Sequence, residues 1–340
     1  MRLLKKQRHN VLLLFFLLFF TFQSYAQGVK VRRIWKEAPC AAFTSLVFYE
    51  GNFYCAFREA NTHVDKNGND NGRIRIIRSK NEKQWETFDI VQKEGYDLRD
   101  PALSINPEGK LMLLMGASVH KENMTVSICS HVAFTLSSGS FTEPIPIVTD
   151  YEANRKWLWK ITWYNNRAYG FVYGDTFRLI SSSDGIHYQT IKKFDIKNSP
   201  NETDLCFMED GRLLAIIRRA RNHQGLVAVS QSPYTDWNFT ECGYELGGPD
   251  VLLTENGKKL VTSRFISKKG NRTVLFELKD DNLLYPILTL PSGGDCSYSD
   301  ALIKSNILYI SYYSSHISRK ASIYFARISN KKWNKKTINY

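Results

Sequence analysis

The feature that most constrains the fold is a hairpin-like pattern that occurs six times along the chain. Its clearest copy runs from Glu202 to Arg218, where the turn pair Asp210-Gly211 separates two apolar runs rich in strand-forming residues. The six copies begin near positions 43, 99, 158, 202, 248 and 298. This spacing of roughly 45 to 60 residues is typical of four-stranded propeller blades. The sequence therefore predicts an all-β fold, a six-bladed β-propeller of four-stranded blades.

The residues that open the six copies should meet at one end of the central channel, because the first strand of each blade lines that channel. They combine carboxylates, cations and aromatic rings: Phe43, Arg99, Asp100, Trp159, Glu202, Asp250 and Tyr298. Strand caps at a solvated rim are the alternative interpretation. The mixture of residue types favours a polar pocket at the channel mouth.

The N-terminal segment, residues 1–26, has the pattern of a secretory signal peptide. Basic residues precede an apolar run from position 11 to 22, and Ser24-Tyr25-Ala26 provides a small-residue cleavage site. The apolar run is short for a spanning helix, which needs about 20 residues. We expect export to the periplasm or the medium, no stable membrane insertion after cleavage, and one domain over residues 27–340.

The charge of the chain favours an anionic partner. Its formal net charge is +13, and removal of the four basic residues of the signal peptide lowers it to +9. For an exported protein, this field points to an acidic oligosaccharide or polysaccharide. No nucleic-acid-binding module is recognisable, so we expect no nucleic-acid partner.

The cysteine pattern predicts neither a zinc site nor a dense disulfide framework. The six cysteines are scattered without CxxC spacing. Cys40 and Cys55 flank the first hairpin, which leaves a bridge between them open; otherwise we interpret the cysteines as small buried side chains. We expect chemistry without a metal or cofactor, although the oxygen-rich loop at positions 65–72 would suit a structural calcium ion.

Three turns outside the hairpins share a serine, an Asp or Asn, and an aromatic residue. They lie at positions 79–85, 182–188 and, less clearly, 230–237. The Asp or Asn side chain can accept hydrogen bonds from the amides of its own turn, while the aromatic ring packs between the sheets. These turns are predicted to be structural.

The same turns resemble degenerate Asp-boxes, the signature of sialidase-like propellers. The resemblance covers nearly the whole mature chain. The order of Glu202, Arg218, Arg264 and Tyr298 is also similar to the sialidase pattern. The resemblance implies that Tyr298 is the nucleophile, that Glu202 is its base, and that Arg218 and Arg264 bind a substrate carboxylate.

The chemistry of these residue types supports those roles. A phenol with an ordinary pKa near 10 is a poor nucleophile unless a neighbouring carboxylate takes its proton. Two guanidinium groups can offer paired donors to a planar carboxylate. Surface ion pairs are the alternative interpretation of the two arginines.

The chain departs from the sialidase pattern in its first blade. Sialidases carry a clamping arginine there in a Phe-Arg-Ile-Pro or Tyr-Arg-Ile-Pro motif, and positions 41–46 read AAFTSL instead. Arg58 or Arg99 is a candidate substitute, although neither comes from the same place.

The catalytic acid is left open by the sequence. The resemblance implies an aspartate in the loop after the first hairpin, where Asp65 has the comparable spacing and Asp70 follows. His63 is an alternative, because imidazole titrates nearest to neutral pH. Asp100, in an Arg-Asp-Pro element, is expected to stabilise positive charge or bind a substrate hydroxyl.

The tryptophan and aspartate that open the third and fifth copies are further candidates for substrate binding. Trp159 would offer a face for a sugar ring, and Asp250 would bind polar groups of the substrate. Packing in the propeller core is the alternative for Trp159.

Three functions follow from these residues. The first is hydrolysis of a terminal acidic sugar by a secreted glycoside hydrolase. The second is β-elimination or dehydration of a uronate-containing glycan, in which an arginine neutralises the carboxylate and Tyr298 or His63 removes the α-proton. The third is a propeller that binds acidic glycans without catalysis.

Overall fold

The computed structural model describes residues 28–64, 72–122, 124–317 and 320–334. In these ranges the chain forms a six-bladed β-propeller, and its only α-helix there is α1 (Asn330–Trp333). No helix of the described ranges is long and apolar enough to cross a membrane. The predicted signal peptide, Asp65, Asp70 and most of the candidate calcium loop lie outside the described residues.

The strands of the first three blades run outward from the channel, and β1 (Val29–Trp35) belongs to the last blade. The first blade contains β2 (Cys40–Tyr49), β3 (Asn52–Ala60), β4 (Arg73–Ser79) and β5 (Glu86–Val91). The second contains β6 (Asp97–Ile105), β7 (Leu111–Lys121), β8 (Met124–Phe134) and β9 (Ile145–Pro146). The third has β10 (Val148–Thr149) at its outer edge, a split inner strand formed by β11 (Trp157–Leu158) and β12 (Thr162–Tyr164), and then β13 (Arg167–Tyr173), β14 (Phe177–Ser182) and β15 (His187–Phe194).

The remaining blades follow the same order. The fourth contains β16 (Thr203–Phe207), β17 (Leu213–Ile217), β18 (Leu226–Ser230) and β19 (Trp237–Glu241). The fifth contains β20 (Asp250–Leu253), β21 (Lys259–Phe265), β22 (Arg272–Leu278) and β23 (Leu284–Thr289). The sixth contains β24 (Cys296–Lys304), β25 (Ile307–Ser314) and β26 (Ser322–Ser329), with β1 as its outer strand.

The six predicted hairpins are confirmed as the inner two strands of each blade. In the fourth blade, Thr203 pairs with Ile217 and Phe207 with Leu213. The turn between them places Gly211 at φ 81°, a left-handed conformation that glycine adopts without strain. Six clusters of buried apolar side chains fill the spaces between neighbouring blades.

The closure of the ring was not predicted. Strand β1 pairs antiparallel with β26, in a register that places Val29 opposite Ile328. The outer strand of the last blade therefore comes from the start of the described chain, and it joins the two ends of the propeller.

Two of the three predicted structural turns are held as expected. Asn81 Oδ1 accepts the amides of residues 83 and 84 at 3.0 and 2.9 Å, and Asp184 Oδ1 accepts those of residues 186 and 187 at 2.8 Å. Tyr188 is buried between the sheets. In the third turn, the Ser230 hydroxyl donates to the backbone oxygen of Asp236 at 2.6 Å instead.

A ring of carboxylates joins the inner strands of successive blades along the channel wall. The amides of Val251, Ala301 and Leu46 donate to Asp204 (2.8 Å), Asp250 (3.1 Å) and Asp300 (2.9 Å), respectively. Lys160 Nζ lies 2.8 Å from Asp250 and 3.6 Å from Asp204. A cavity of about 440 Å³ adjoins this ring. The ring links the fourth blade to the fifth, the fifth to the sixth and the sixth to the first.

A bridge between Cys40 and Cys55 does not form. Both belong to the first hairpin, but Cys40 pairs with Ala60 while Cys55 pairs with Leu46. They lie several strand positions apart, and both thiols are free and buried.

Candidate active site

Three residues at the channel mouth share a left-handed backbone conformation at an irregularity of their strands. Phe43, Asp100 and Tyr298 have φ values of 59°, 47° and 44°, although none of them is glycine. Each lies at a register shift of its inner strand, in the first, second and sixth blades. A bulge re-aims a side chain, and strained backbone of this kind occurs often at functional sites. The rings of Phe43 and Tyr298 lie 5.1 Å apart.

The centre of the site is a contact between Tyr298, Glu202 and Arg218. The Tyr298 hydroxyl donates to Glu202 Oε1 at 2.7 Å, and Arg218 Nη1 lies 2.7 Å from Glu202 Oε2 and 3.1 Å from the phenolic oxygen. The amide of Gly248 also donates to Glu202 Oε2, at 3.0 Å. A Cβ at Gly248 would lie 2.6 Å from Cγ of Tyr298, so only glycine fits there. Tyr298, Glu202 and Arg218, which the sialidase resemblance relates to one another, are thus in mutual contact.

The phenol of Tyr298 is neutral at physiological pH. Burial and the negative charge of Glu202 raise its pKa well above the usual value, and the guanidinium groups of Arg218 and Arg264 oppose this shift only in part. The phenol therefore keeps its proton, which it donates in the hydrogen bond to Glu202 Oε1.

Arg264 packs against the ring of Tyr298, with its guanidinium carbon 5.0 Å from the ring centre. Its Nε donates to the backbone oxygen of Cys296 at 2.8 Å, while Nη2 donates to Asp295 Oδ1 at 3.0 Å and to the Tyr313 hydroxyl at 2.8 Å. Tyr313 in turn donates to Asp295 at 2.7 Å. Arg264 thus lies in the site, fixed by two residues that the sequence analysis missed.

His63 lies at the rim of the site, with 44% of its side chain exposed. Its Nδ1 is 2.9 Å from Asp295 Oδ2, and its ring meets Phe43 edge-on at 5.1 Å. The hydrogen bond to Asp295 is the main reason that the pKa of His63 rises to about 9. His63 is therefore an imidazolium at neutral pH.

Asp100 and Arg99, from the second blade, lie beside Phe43. Arg99 Nε is 3.4 Å from Asp100 Oδ2, and its guanidinium lies over the ring of Phe43 at 5.2 Å. Burial, together with the nearby charge of Glu202, raises the pKa of Asp100 to about 6, and Arg99 opposes the shift. Trp159 lies edge-on to Tyr298 at 6.1 Å and is only 4% exposed, so its ring packs mainly against protein.

Tyr173 is a further site residue that the sequence analysis missed. Its pKa is raised well above the usual value by burial and by the charges of Glu202 and Asp100, which it faces. Its ring stacks on Trp157 at 6.0 Å. A usable signal was present: Tyr173 ends the second strand of the third hairpin, close to the positions that Arg218 and Arg264 occupy in the fourth and fifth.

The structure does not bring Arg58 and Asp250 into this cluster. Arg58 is fully buried; it donates to Asp97 Oδ1 at 2.7 Å and to the backbone oxygen of Thr62 at 2.8 Å. Because the amide of Gly72 donates to the same oxygen of Asp97 at 3.1 Å, Arg58 and Asp97 hold both ends of the loop that carries His63. Asp250 belongs to the carboxylate ring of the channel wall. The substrate-binding roles predicted for these two residues gain no support from their positions.

The site carries an excess of positive charge. With the adjacent pair of Arg58 and Asp97 included, the cations are Arg58, Arg99, Arg218, Arg264 and the imidazolium of His63, and the carboxylates are Asp97, Asp100, Glu202 and Asp295. Five cations and four carboxylates leave room for an anionic ligand. Within the described ranges, no group of three or more His, Cys, Asp or Glu side chains has the arrangement of a metal site.

No protein-family model and no curated protein sequence matches the chain significantly. Solved structures do resemble it in fold. A protein of unknown function from Dyadobacter fermentans has a TM-score of 0.76 and 18% identity, over 89% of this chain and 99% of the other. The sialidase of Trypanosoma rangeli in complex with the inhibitor DANA has a TM-score of 0.69 and 13% identity, over 88% of this chain but only 59% of the sialidase.

An α-L-arabinofuranosidase from Fusarium graminearum is similar to the same degree, with a TM-score of 0.67 and 12% identity over 90% of this chain and 99% of that one. The Trypanosoma rangeli sialidase is also described as a covalent intermediate with 2,3-difluorosialic acid, at a TM-score of 0.64 and 14% identity over 88% of this chain and 58% of that one. At these identities the likeness establishes a sialidase-like propeller fold.

Proposed function

We propose that this protein is an exported glycoside hydrolase that removes a terminal acidic sugar from a glycan. The observation that carries the proposal is the 2.7 Å hydrogen bond from a neutral, buried Tyr298 to Glu202, with Arg218 in contact with both. A binding protein has no need of a phenol paired with a base. The glycosidases among the structural neighbours support the same class of reaction.

The first half of the reaction forms a bond from Tyr298 Oη to the anomeric carbon as the bond from that carbon to the leaving oxygen breaks. The phenolic proton passes to Glu202 Oε1, and the leaving oxygen takes a proton from an acid at the rim. In the second half, water attacks the anomeric carbon, Tyr298 departs, and Glu202 returns the proton to the phenolic oxygen. The water gives its own proton to the rim group, so the protein ends as it began.

His63 is the described candidate for the rim acid. It is protonated at neutral pH and partly exposed, and a leaving group must point toward solvent to depart. Asp100, which is deeper and has a pKa of about 6, suits stabilisation of positive charge on the sugar ring. Asp65 retains the role that the sialidase resemblance implies for it, as a prediction.

The acidic nature of the substrate follows from the excess positive charge. Arg218 and Arg264 would each donate to the substrate carboxylate. Both already hold protein carboxylates, Glu202 and Asp295. Each arginine would therefore bind the substrate carboxylate and a protein carboxylate at the same time.

The β-elimination alternative gains no specific support. That reaction needs a base to remove a carbon-bound proton, whereas the Tyr298 phenol still carries its own proton and directs it at Glu202. A fluorinated sugar distinguishes the two. Under the hydrolase proposal, 2,3-difluorosialic acid or the matching fluorinated uronate leaves one sugar mass on Tyr298, and no product absorbs in the ultraviolet.

Tyr298→Phe tests the nucleophile, because it removes one oxygen and keeps the ring. We expect kcat to fall at least about 1,000-fold and the mass adduct to disappear. Tyr234→Phe is the matched control, since the buried Tyr234 hydroxyl donates to the Gly211 backbone oxygen at 3.1 Å, away from the site. Full activity of Tyr298→Phe would exclude the proposed mechanism.

The clamps are tested by Arg218→Lys and Arg264→Lys. Each should lower kcat/KM on the order of tenfold to a thousandfold, because lysine cannot offer paired donors. Near-normal kcat/KM in both variants would remove the carboxylate-binding role.

A further inference from the structure

Two loops beside the candidate active site are rich in cations and lack acidic residues. Positions 266–271 lie between β21 and β22, and the described positions 315–317 and 320–321 lie between β25 and β26. Neither contains Asp or Glu. The two loops and adjacent strand positions form what we call the basic rim: Arg33, Lys268, Lys269, Arg272, His316 and Lys320.

The basic rim lies on the same face of the propeller as the site. The first loop starts two residues after Arg264, and the second starts two residues after Tyr313; both of these residues bind Asp295. The rim is thus a continuation of the wall that carries Arg264. A ligand that leaves the site over the fifth and sixth blades meets the rim first.

Gly293 brings two of the rim cations onto the segment that supplies Asp295. A Cβ at Gly293 would lie 3.2 Å from Arg272 Nη1 and 3.5 Å from the His316 Cβ, so both side chains pack over this glycine. Gly293 precedes Asp295 by two residues, which span at most about 7 Å of extended chain. The guanidinium of Arg272 is therefore adjacent to the site.

Arg33 reaches the same neighbourhood from the outer strand of the last blade. It pairs with Tyr324, whose ring lies 5.0 Å from the imidazole of His316. Burial and the positive charges of Arg272 and Arg33 lower the pKa of His316 below its usual value. Cations from two separate segments thus act on one imidazole.

The rim cations differ from other cations of the fifth blade in their partners. Lys258 lies 3.2 Å from Glu277, Lys259 lies 2.9 Å from Asp280, and Arg264 lies 3.0 Å from Asp295. By contrast, no described carboxylate lies within ion-pair distance of the Arg33, Lys268, Lys269, Arg272 or Lys320 side chain. Like charges gathered without counter-charges create a field that an anionic ligand would offset.

We propose that the basic rim is a second binding site, which takes an additional anionic sugar of an acidic oligosaccharide whose terminal sugar occupies the Tyr298 site. The ligand class is a glycan that carries carboxylate or sulfate groups on more than one residue. The inference rests on the proposed function for the placement of the terminal sugar. It also explains why the positive charge extends beyond the arginines of the site.

The test measures binding without turnover, so that its failure and the failure of the hydrolase proposal can be distinguished. Binding of acidic hexasaccharides (oligogalacturonate, oligosialate, hyaluronan and chondroitin sulfate) to full-length protein carrying Tyr298→Phe is measured by calorimetry at low and high salt. The rim variant is the triple substitution K268Q/K269Q/R272Q. The matched control is K192Q/K193Q/K197Q, which removes the same charge from exposed positions of the third blade and the residues that follow it.

The expected result is that the rim variant loses affinity for the preferred hexasaccharide on the order of tenfold, with a weaker dependence on salt, while the control stays within about twofold. Bound anion should also raise the pKa of His316, seen as a shift in its imidazole NMR titration. Equal loss in the control, no loss in the rim variant, or no salt-sensitive binding to any member of the panel would overturn the proposal. The proposal would also be overturned if the rim substitutions weakened binding to vesicles of 30% phosphatidylserine in phosphatidylcholine but to none of the hexasaccharides.

Discussion

Replacement of Glu202 by glutamine removes the proposed base with little change of shape. Glu202 accepts three donors: the Tyr298 hydroxyl on Oε1, and Arg218 Nη1 and the amide of Gly248 on Oε2. The amide oxygen of Gln can keep the last two. Its NH₂ group then faces Tyr298 and donates to the phenolic oxygen, so the direction of that hydrogen bond is reversed.

The size of the effect follows from this geometry. In Glu202→Gln the phenolic proton has no acceptor, and the loss of a general base lowers kcat by about 100- to 10,000-fold. That range corresponds to about 2.7 to 5.4 kcal/mol in the activation barrier. Arg218 also loses its charged partner, so we expect the free energy of unfolding to fall by about 1 to 3 kcal/mol. The variant should stay folded at 25 °C.

The assay is steady-state hydrolysis of an aryl glycoside of the preferred acidic sugar, with thermal unfolding measured in parallel. Glu241→Gln is the matched control, because Glu241 pairs with Arg219 on the same blade but is exposed and lies outside the site. A Glu202→Gln variant that keeps its fold and retains kcat within tenfold of the parent would refute the assignment of Glu202 as the base. An equal loss in Glu241→Gln would refute the geometric reasoning.

Three further predictions concern pH, the loop and the channel. A plot of kcat/KM against pH should be bell-shaped, with a fall below about pH 6 as Asp100 becomes protonated and a fall above about pH 9 as His63 loses its proton. A flat profile from pH 5 to 10 would contradict the roles proposed for Asp100 and His63. Gly72→Ala should lower kcat/KM at least about tenfold, because a Cβ at position 72 would overlap Asp97 Oδ1 and displace the loop that carries His63. Unchanged kinetics would show that the position of His63 does not depend on this contact. Lys160→Met should lower the free energy of unfolding, measured in urea, by about 3 to 5 kcal/mol, because the buried carboxylates of Asp204 and Asp250 lose their counter-charge. An unchanged urea midpoint would show that these carboxylates do not need Lys160.

The blades could be predicted from the sequence because their signals are local. The hairpin from Thr203 to Ile217 needs only a turn pair and two strand-forming runs, and each blade repeats such a unit. The pairing of β1 with β26 could not be predicted in this way. Val29 and Ile328 meet only after every blade between them is in place, and the exposed, strongly basic pattern of β1 does not identify its partner.

The site was predicted in part, and the omissions have a simple geometric cause. The starts of the inner strands predict Tyr298 and Asp100, and the sialidase-like order adds Arg218 and Arg264. Second strands of the hairpins run back to the same mouth, and Tyr173 and Tyr313 are carried there near their ends. Asp250 was predicted to bind substrate because it lies at the start of the fifth hairpin. It belongs instead to the channel wall, where its carboxylate accepts a hydrogen bond from the amide of Ala301 in the next blade.

Closure of the ring by β1 has a consequence for biosynthesis. The ribosome makes β1 before every other described strand, while its partner β26 emerges nearly last. Joining segments roughly 300 residues apart costs about 5 kcal/mol of chain entropy if the intervening chain is disordered, so blades that have already folded must reduce that cost. Until then, β26 would leave an unpaired strand edge, which can pair with another chain. The newly made protein is therefore most prone to aggregate in the interval between formation of β26 and its pairing with β1.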